Sequence, residues 1–483
     1  MRTRSRFPTL IAVAFGAVGI GFGAIFLLNA PRVVAVSPAA DALRVSSLAP
    51  VEIVFSRPMN EDATAASFHI EPPQPGQINW PSPTTLRFVP QAEWPQGVSV
   101  RATLSSQARS ARGLPVLGGA DWEFTAAVAR VAYLQLEPDG LTSNVWSVLL
   151  DGSERQRITD EPFGVNEFDV SPDGTRVVYS AVRADGGADL YETTLETLIT
   201  TQLLACPGEE CRNPRYAPDG QKLGFERRVL ADGEPGGRLP GSSISIVVVE
   251  TGELLALPVP DEEVSHSPNW MFTGNLSFVN ETLRAIGWYN PQTGALDYAP
   301  SFAVEMGAWS PDGQWLVYSE ILLQEHTHEP ATDSAPETDA ATPSPEQGVA
   351  QNDVFYTHLL RYNITSGQLR EITDIQFVED TAPAFSPSGR WLAYARKFVD
   401  AENWTPGRQL WVADANGANA RQLTDAGIYN HSAFVWSPDE QTLVYMRFNV
   451  ADFNAPPEIW AIETDGSNAR LLAEGGALPR WLP

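Results

Sequence analysis

A short motif recurs through the chain from residue 129 onward, and it limits the fold more than any other feature. One copy is "WSPDGQWLVYSE", which runs from Trp309 to Glu320 and joins a polar corner to an apolar run. Related segments begin near residues 169, 215, 269, 384 and 435. Because their spacing is roughly 40 to 55 residues apart from one longer gap, the repeats predict the blades of a β-propeller.

Each repeat contains the sequence of four short strands. The motif is followed by a polar loop, by a strand such as "QLWVADANG" and by a short segment such as "RQLTD", which together make one antiparallel blade. The first unit lacks the motif-bearing strand, whereas the chain ends on "RWLP", which matches the start of the motif. We therefore expect the last residues to supply the innermost strand of the first blade and to close the ring. This count predicts seven blades, with six as the alternative if the weak copy near Trp270 is not a blade.

The polar corner of the motif contains an aspartate, Asp312, whose role has to be decided. Ser310, Pro311 and Gly313 fit a type I turn, in which serine is favoured first, proline second and glycine fourth. Other copies carry Asp173, Asp219 or Asp439 at this corner, or Thr273 or Ser388. A catalytic carboxylate is needed once and in one geometry, so the recurrence predicts that Asp312 shapes the turn.

The preceding segment, residues 31–127, has a different pattern. Runs such as "VEIVFSRPMN", "TTLRFVP" and "VSVRATLSS" alternate between apolar and polar residues and are separated by prolines and glycines. This period is typical of half-buried strands, and no helical period of useful length appears. The segment therefore predicts a small antiparallel β-sandwich.

The N-terminus combines a basic tail, residues 1–7, with an apolar run. The 21 residues from Pro8 to Leu28 carry no charge, and as a helix they would span about 31 Å, close to the ~30 Å hydrocarbon core of a bilayer. Pro31 would hinder cleavage after the run, so we expect a transmembrane anchor at residues 8–29, with a cleaved signal peptide as the alternative. The arginines before the run predict a single-pass protein of the cell membrane whose N-terminus is cytoplasmic and whose bulk is extracytoplasmic.

Charge and cysteine content narrow the partners. The formal net charge of −27 repels phosphate backbones and therefore argues against nucleic acid as a partner. The two cysteines, Cys206 and Cys211, are too few for a zinc site. In an extracytoplasmic compartment they predict a local disulfide, with free buried thiols as the alternative.

An acidic insertion, residues 325–352, interrupts one blade. It is rich in Pro, Ala, Thr and Ser and contains six carboxylates but no Lys or Arg. Such a segment cannot bury enough apolar surface to offset its ordering entropy, so its composition predicts a disordered loop. His326 and His328 within it could bind a metal weakly, but a solvated insertion is favoured.

Two family resemblances follow from these motifs. The segments "VSPAADALRVSSLAPVEIVFSRPMN", "TLRFVPQAEWPQGVSVRATLSS" and "WEFTA" resemble, in this order, the bacterial Ig-like domain of the S-layer SbsA type, which implies a spacer or adhesion module without catalytic residues. The SPDG-bearing repeats resemble the TolB-type, WD40-like β-propeller repeat, which is also found in the propellers of prolyl-oligopeptidase-like enzymes. Together they imply an all-β chain in which an Ig-like domain precedes a propeller at residues 129–483, and the predicted transmembrane helix precedes both. TolB itself carries a different, α/β domain before its propeller, so its partners are not implied.

Signatures of catalysis are missing from the sequence. It contains no G-x-S-x-G elbow of a serine peptidase and no HExxH, Walker A or GxGxxG pattern. Of the six histidines, two lie in the acidic insertion. We therefore predict that the protein is not an enzyme.

Candidates for ligand binding lie just before the innermost strands, which converge on the central channel of a propeller. Four positions before the aromatic column of the repeats are polar residues from six blades: Asn166, Arg212, His266, Glu305, Thr381 and Ser432. Asp380 and His431 lie one position earlier. The alternative is that these positions are polar only because strand ends are solvated. No cofactor is predicted, although His266, His431, Asp380 and Glu305 could hold a divalent cation.

These observations favour a non-catalytic, extracytoplasmic binding protein whose propeller recognises an envelope or extracellular protein, peptide or glycan. A first alternative is a metal-assisted hydrolase, or an enzyme subunit, with its site at the channel mouth. A second alternative is an envelope scaffold.

Overall fold

The structure is a computed structural model, and it describes residues 29–45, 49–92, 94–230, 241–260, 262–323, 355–373 and 375–482. The chain divides into two compact units, of which the first ends at Arg130 and the second is Val131–Leu482. The basic tail, the predicted anchor apart from its last residue, and the acidic insertion lie outside the described residues. Within the described ranges, no helix is both long enough and apolar enough to cross a membrane.

The first unit contains two four-stranded sheets. Its strands are β1 (Val33–Ser37), β2 (Ala42–Val45), β3 (Val51–Phe55), β4 (Phe68–Glu71), β5 (Gly76–Ser82), β6 (Thr85–Pro90), β7 (Ser99–Leu104) and β8 (Ala120–Ala126). The sheet orders are β1–β3–β6–β5 and β2–β8–β7–β4. Neighbours pair antiparallel, as the alternating pattern predicts, except that β2 runs parallel to β8. A short helix, α1 (Glu61–Ala65), departs from the predicted strand pattern. Asn60 caps it by accepting a hydrogen bond from the Ala63 amide at 2.9 Å.

Alternation along these strands produces the core of the first unit. In β3, Val51, Ile53 and Phe55 are buried, which places every second side chain on the inner face. Trp94 is fully buried in the same cluster, and its indole N–H donates to the Ala49 carbonyl at 3.0 Å. The period-two pattern therefore decides which face of each strand turns inward.

The second unit consists of four-stranded antiparallel meanders. Its strands are β9 (Arg130–Leu136), β10 (Ser143–Leu149), β11 (Gln156–Arg157), β12 (Val165–Val170), β13 (Arg176–Val182), β14 (Ala188–Thr194), β15 (Ile199–Leu204), β16 (Glu209–Tyr216), β17 (Lys222–Val229), β18 (Ser242–Val248), β19 (Leu254–Leu255), β20 (Ser265–Trp270), β21 (Leu276–Asn280), β22 (Ala285–Tyr289), β23 (Leu296–Pro300), β24 (Ala308–Trp309), β25 (Trp315–Leu323), β26 (Phe355–Asn363), β27 (Leu369–Glu371), β28 (Val378–Phe385), β29 (Trp391–Phe398), β30 (Gln409–Asp414), β31 (Arg421–Gln422), β32 (Tyr429–Trp436), β33 (Thr442–Asn449), β34 (Glu458–Glu463), β35 (Arg470–Glu474) and β36 (Gly476–Leu482).

Hydrogen bonding groups these strands into meanders that follow the repeats. The groups are β36–β9–β10–β11, β12 to β15, β16 to β19, β20 to β23, β24 to β27, β28 to β31 and β32 to β35. Single parallel contacts, Ala188 to Glu210 and Thr357 to Glu379, join two pairs of neighbouring meanders. The last strand, β36, pairs with β9, as the terminal "RWLP" predicts. We call the strand that aligns with the motif the inner strand of its meander: β12, β16, β20, β24, β28, β32 and β36.

The motif corner is a turn closed by its own side chains. Asp312 Oδ1 accepts hydrogen bonds from Ser310 Oγ at 2.5 Å and from the Gln314 amide at 3.0 Å. The Trp315 amide donates to Ser310 Oγ at 3.0 Å, and Gly313 takes a left-handed φ of 68°. The hydrogen bond from Ser310, followed by that from Gln314, lowers the pKa of Asp312. The prediction that Asp312 shapes the turn is confirmed.

A disulfide joins Cys206 and Cys211 across the loop between β15 and β16. Both cysteines are buried. Asp189 Oδ1 accepts a hydrogen bond from the Cys206 amide at 2.8 Å, and Arg183 Nη1 donates to the Cys206 carbonyl at 2.9 Å. The loop therefore holds the start of inner strand β16 in one position.

Candidate functional site

Most of the predicted site residues lie where the inner strands bulge. In β16, β20, β28 and β32 the pairing register shifts directly after the predicted residue. The next residue has a left-handed φ between 49° and 55°: Asn213, Ser267, Ala382 and Ala433. Since none of these is glycine, each costs roughly 1 kcal/mol that the surrounding structure must offset. Bulges redirect side chains and are common beside functional sites.

Arg212 is held by a carboxylate from the neighbouring inner strand. Its Nη2 donates to Glu167 Oε1 at 2.6 Å, and the Asn213 amide reaches Glu167 Oε2 at 3.5 Å. Burial lowers the pKa of Arg212, but the hydrogen bond and charge of Glu167 outweigh this effect and raise it. Arg212 Nε is buried without a hydrogen-bond partner among the described residues. Arg212 is therefore a fixed cation with hydrogen-bonding capacity left over.

A second carboxylate, Glu226, links β16 to the next inner strand, β20. Its Oε1 accepts hydrogen bonds from Asn213 Nδ2 at 3.1 Å and from the Ser267 amide at 2.7 Å. The His266 ring is oriented by two contacts, Nδ1 to Ser267 Oγ at 2.9 Å and Nε2 to Glu281 Oε1 at 3.2 Å. The bulged segments of these strands are thus joined by side-chain hydrogen bonds.

Two arginines outside the predicted set lie one residue before the aromatic column. Arg480 Nε is 3.5 Å from Asp169 Oδ1, and Arg215 Nη1 donates to the Phe168 carbonyl at 3.1 Å. Asp169 Oδ2 also accepts a hydrogen bond from the Tyr216 amide at 2.9 Å. Burial, followed by the charge of Arg215, lowers the pKa of Arg480 to about 10, while Asp169 opposes this shift. Neither arginine is among the predicted residues, because those residues lie four or five positions before the aromatic column.

Asp380 is not accessible to a ligand. Its exposed fraction is 0%, and Arg396 Nε and Nη2 each donate to one of its oxygens at 2.7 Å. Thr373 Oγ1 donates to the same carboxylate at 2.7 Å. The Arg396 guanidinium also lies over the rings of Tyr394 and Trp411. Because both oxygens have protein partners, Asp380 acts as a structural residue.

His431 is buried as a neutral imidazole. Its Nδ1 is 2.8 Å from the Arg408 carbonyl, which can only accept, so Nδ1 carries the proton. Burial is the main cause that lowers the pKa of His431 to about 4. His431 Nε2 and Ser432 Oγ are buried without a hydrogen-bond partner among the described residues. The two residues therefore add unsatisfied polar atoms to the start of β32.

The other predicted positions are less enclosed. Glu305 is exposed, and Asn166 and Thr381 are half-buried. In the meander that contains Glu305, the left-handed residue is Val304, which precedes the predicted residue instead of following it. A fixed distance from the aromatic column therefore does not select structurally equivalent residues in every meander. Across the described ranges, no three His, Cys, Asp or Glu side chains converge so as to hold a metal ion. The four residues considered as cation ligands are thus not gathered in one site: His266, His431, Asp380 and Glu305.

Exposed apolar side chains lie at the end of the meanders where the inner strands begin. Some lie in loops that lead into an inner strand, and the others lie in loops that join the second and third strands of a meander. Because successive strands alternate in direction, both kinds of loop lie at the same end of a meander. We call them the apolar rim: Leu141, Phe163, Leu283, Phe302, Phe377, Trp404, Ile428 and Phe453. Phe302, for example, is 64% exposed, and Phe272 in a motif turn at the opposite end is 65% exposed. Apolar side chains collected on one face indicate an interaction surface.

The two units can now be assigned to a class. Residues 28–126 match the family described as Bacterial Ig-like domain. This match confirms the expected Ig-like domain, and the four-stranded antiparallel meanders of the second unit are those expected of propeller blades in an all-β chain.

Two curated proteins are similar in sequence. Dipeptidyl-peptidase 5 of Porphyromonas gingivalis is 22% identical over 381 residues, which are 73% of this chain and 49% of that protein. The uncharacterized peptidase YuxL of Bacillus subtilis is 22% identical over 214 residues, which are 41% of this chain and 31% of that protein. The chain thus spans at most about half the length of either relative.

Solved structures that are similar to this chain include a TolB protein and the propeller domain of a protease. TolB from Acinetobacter baumannii is 13% identical with a TM-score of 0.43, over 87% of this chain and 84% of that chain. The β-propeller domain of the Trilobed protease from Pyrococcus furiosus is 11% identical with a TM-score of 0.44, over 79% of this chain and 93% of that chain.

The curated relatives correct the functional prediction. Because both are named as peptidases, the prediction of a non-catalytic binding protein is wrong, and so is the prediction that the chain is not an enzyme. The lack of catalytic motifs does not decide the question, since a propeller repeat contains no signature of the chemistry that it serves.

Proposed function

We propose that this chain is the peptide-recognising part of a peptidase, an enzyme subunit whose propeller receives polypeptide where the inner strands begin. The observation that carries the proposal is the group of buried polar atoms without hydrogen-bond partners among the described residues, including Arg212 Nε, Asn213 Oδ1 and Ser432 Oγ. Buried polar atoms are normally hydrogen-bonded, so these atoms have hydrogen-bonding capacity that a water or a ligand would satisfy if it entered beside them. An extended peptide carries backbone N–H and C=O groups that can satisfy them.

The apolar rim supports the same ligand class. A polypeptide alternates polar backbone groups with side chains that are often apolar, and the rim offers apolar contacts around a polar mouth. The similarity to dipeptidyl-peptidase 5 and to a second named peptidase also supports peptide as the substrate. The metal-assisted version of this hypothesis gains no support from the geometry, because the residues considered as ligands are not gathered.

Peptide cleavage tests this proposal. The protein is isolated from its native source with the chains that accompany it, and unstructured peptides with free or acetylated N-termini are followed by mass spectrometry. We expect cleavage, and we expect Phe302→Ser to raise KM by about fivefold to tenfold, corresponding to roughly 1 to 1.4 kcal/mol of lost binding. Phe272→Ser removes an equally exposed ring at the opposite end and should leave KM unchanged. Binding is measured separately by fluorescence anisotropy with labelled peptides. If the protein neither cleaves nor binds any of the peptides, the proposal is refuted.

We further infer that the meanders form a ring of seven blades. The weak repeat near Trp270 supports this count, because β20 to β23 form a complete meander of their own. Phe278 and Ile286 of this meander are fully buried, as expected for a blade packed between neighbours. A density map of the propeller with six blades would contradict the inference.

Extracytoplasmic location on a membrane anchor stays a proposal, supported by the uncharged run at residues 8–29 and by the disulfide at Cys206 and Cys211. The measurement is protease accessibility in intact cells combined with alkaline extraction of membranes. Release of the protein by alkaline carbonate would contradict the anchor.

A further inference from the structure

A cleft lies between the meander β28 to β31 and the meander β32 to β35, beside their motif turns. Its volume is about 260 Å³, and its walls include Arg390, Trp391, Arg421, Trp436 and Glu440. Pockets for drug-sized ligands usually measure ~300 to 1,000 Å³, so this cleft suits a smaller molecule, of the size of one or two amino-acid residues.

The repeats serve as internal controls for the residues of this cleft. Arg390 directly follows the motif corner, where other copies have Thr175, Gln221, Gln314 and Gln441. Its guanidinium carbon lies 4.6 Å from the centre of the Trp391 ring, and the side chain is exposed. The sequence therefore introduces a cation at one copy of a position that is otherwise uncharged in these repeats.

A second arginine lines the same cleft. Arg421 Nη2 donates to the Thr464 carbonyl. This hydrogen bond anchors the guanidinium and leaves its other N–H groups to bind a ligand. The charge of Arg421 contributes to the lowered pKa of Asp465, although the two side chains do not form an ion pair. Within the described part of the chain, neither Arg390 nor Arg421 forms an ion pair. Two such cations in one cleft of a chain with a net charge of −27 form a local site for an anion.

Glu440 is the third departure from the repeat. It occupies the corner position where other copies have Gly174, Gly220, Gly313 and Gly389, and it takes the same left-handed conformation, with φ 61°. Its Oε1 accepts a hydrogen bond from the Ser388 amide at 2.5 Å, across the gap between the two meanders. A side chain is thus retained at a position that favours glycine, and its carboxylate is fixed on the wall of the cleft.

We infer that this cleft binds a short zwitterionic peptide, with its carboxylate on Arg390 and Arg421, its ammonium on Glu440 and an apolar side chain against Trp391. Guanidinium groups pair well with carboxylates because their fork of N–H donors matches the two oxygens. The carboxylate of Glu440 supplies the opposite charge in the same small volume. This inference goes beyond the proposed function, because the cleft lies at the motif-turn end and the apolar rim at the other.

The probe for this inference is the dipeptide Ala-Phe, titrated into the full chain by calorimetry and followed by tryptophan fluorescence. We expect saturable binding that is weakened about tenfold or more by Arg390→Gln, which restores the residue of sibling repeats. Amidation of the dipeptide carboxylate should weaken binding to the same extent. Acetylation of the dipeptide amino group should weaken binding to the wild type but should have little further effect on binding to the Glu440→Gly variant. This variant restores the glycine of the other copies and is therefore expected to fold.

Matched variants decide between this cleft and other sites. Arg370→Gln removes an exposed arginine outside the cleft and should leave Ala-Phe binding unchanged. Phe302→Ser, in the apolar rim, should also leave it unchanged. The inference is overturned if Ala-Phe does not bind saturably, if Arg370→Gln weakens binding as much as Arg390→Gln, or if Phe302→Ser abolishes binding. In the last case the peptide occupies the channel mouth, and the proposed function survives without this site.

Discussion

Breaking the buried ion pair of Asp380 and Arg396 should destabilise the propeller strongly. The exposed fractions of the two side chains are 0% and 3%, and two N–H to oxygen contacts of 2.7 Å join them. Asp380→Asn keeps the shape of the carboxylate but removes its charge, which leaves the Arg396 cation buried without a counter-charge. Loss of one partner of a buried pair costs about 3 to 5 kcal/mol. The aromatic rings at 5.1 and 4.9 Å from the guanidinium remain and offset part of this loss, so we expect about 3 kcal/mol.

Urea unfolding followed by tryptophan fluorescence measures this cost, since Trp411 lies against Arg396 and reports on the site directly. With a slope of about 3 kcal/mol per molar urea, a loss of about 3 kcal/mol lowers the midpoint of the propeller transition by about 1 M. Asp160→Asn is the matched control, because Asp160 pairs with Arg157 at 2.9 Å but is 85% exposed. Its expected cost is below about 1 kcal/mol.

The double variant Asp380→Leu with Arg396→Met completes this test. Replacing a buried pair by apolar side chains of similar volume is often neutral, so most of the stability should return. If Asp380→Asn lowers the midpoint no more than Asp160→Asn, then the pair does not constrain the propeller and our account of Asp380 is refuted.

Three further predictions follow from contacts in the second unit. The pKa of His431 is about 4 in the fold and about 6.5 in an unfolded chain, so the unfolded state binds more protons between these values and stability should fall as pH decreases from about 6.5 to 4. His431→Gln should remove about 3 kcal/mol of that pH dependence, measured by unfolding at several pH values, and an unchanged slope would contradict it. Asp312→Ala should cost about 0.5 to 1.5 kcal/mol through the lost turn contacts, with peptide cleavage unaffected, and a loss of cleavage would show that Asp312 is more than a turn residue. Joint replacement of Cys206 and Cys211 by Ala should lower the free energy of unfolding by about 2 kcal/mol, as expected for a short loop. Thermal unfolding at equal protein concentration measures this loss, and an unaltered midpoint would contradict it.

Much of the fold was predictable because local patterns repeat. The corner from Ser310 to Gly313 closes through its own side chains, so four adjacent residues are enough to identify the turn. The terminal strand β36 was predictable for the same reason, since its sequence matches the repeat and its pairing with β9 removes a sheet edge. Helix α1 was not predicted, because five residues are too few to establish a helical period.

The candidate site was predictable only in part. Arg212 and His266 were selected by their offset from the aromatic column, and the structure does place them at bulges. Asp380 was selected at the position one residue earlier, yet it is fully buried, because burial depends on Arg396 from the paired strand and not on position along the chain. Arg480 could have been found at a different offset, but its neighbours Asp169 and Arg215 belong to distant repeats.

The repeat, the turn chemistry and the alternation that forms the strands follow from the sequence alone, because each depends on residues that are adjacent in the chain. Which side chains meet depends instead on how the folded chain packs. Glu440 illustrates the difference: the sequence shows a glutamate in place of glycine, whereas the fold brings its carboxylate to Ser388 and places it beside Arg390 and Arg421 in one cleft. Contacts between repeats depend on how neighbouring meanders pack, and no local pattern contains that information.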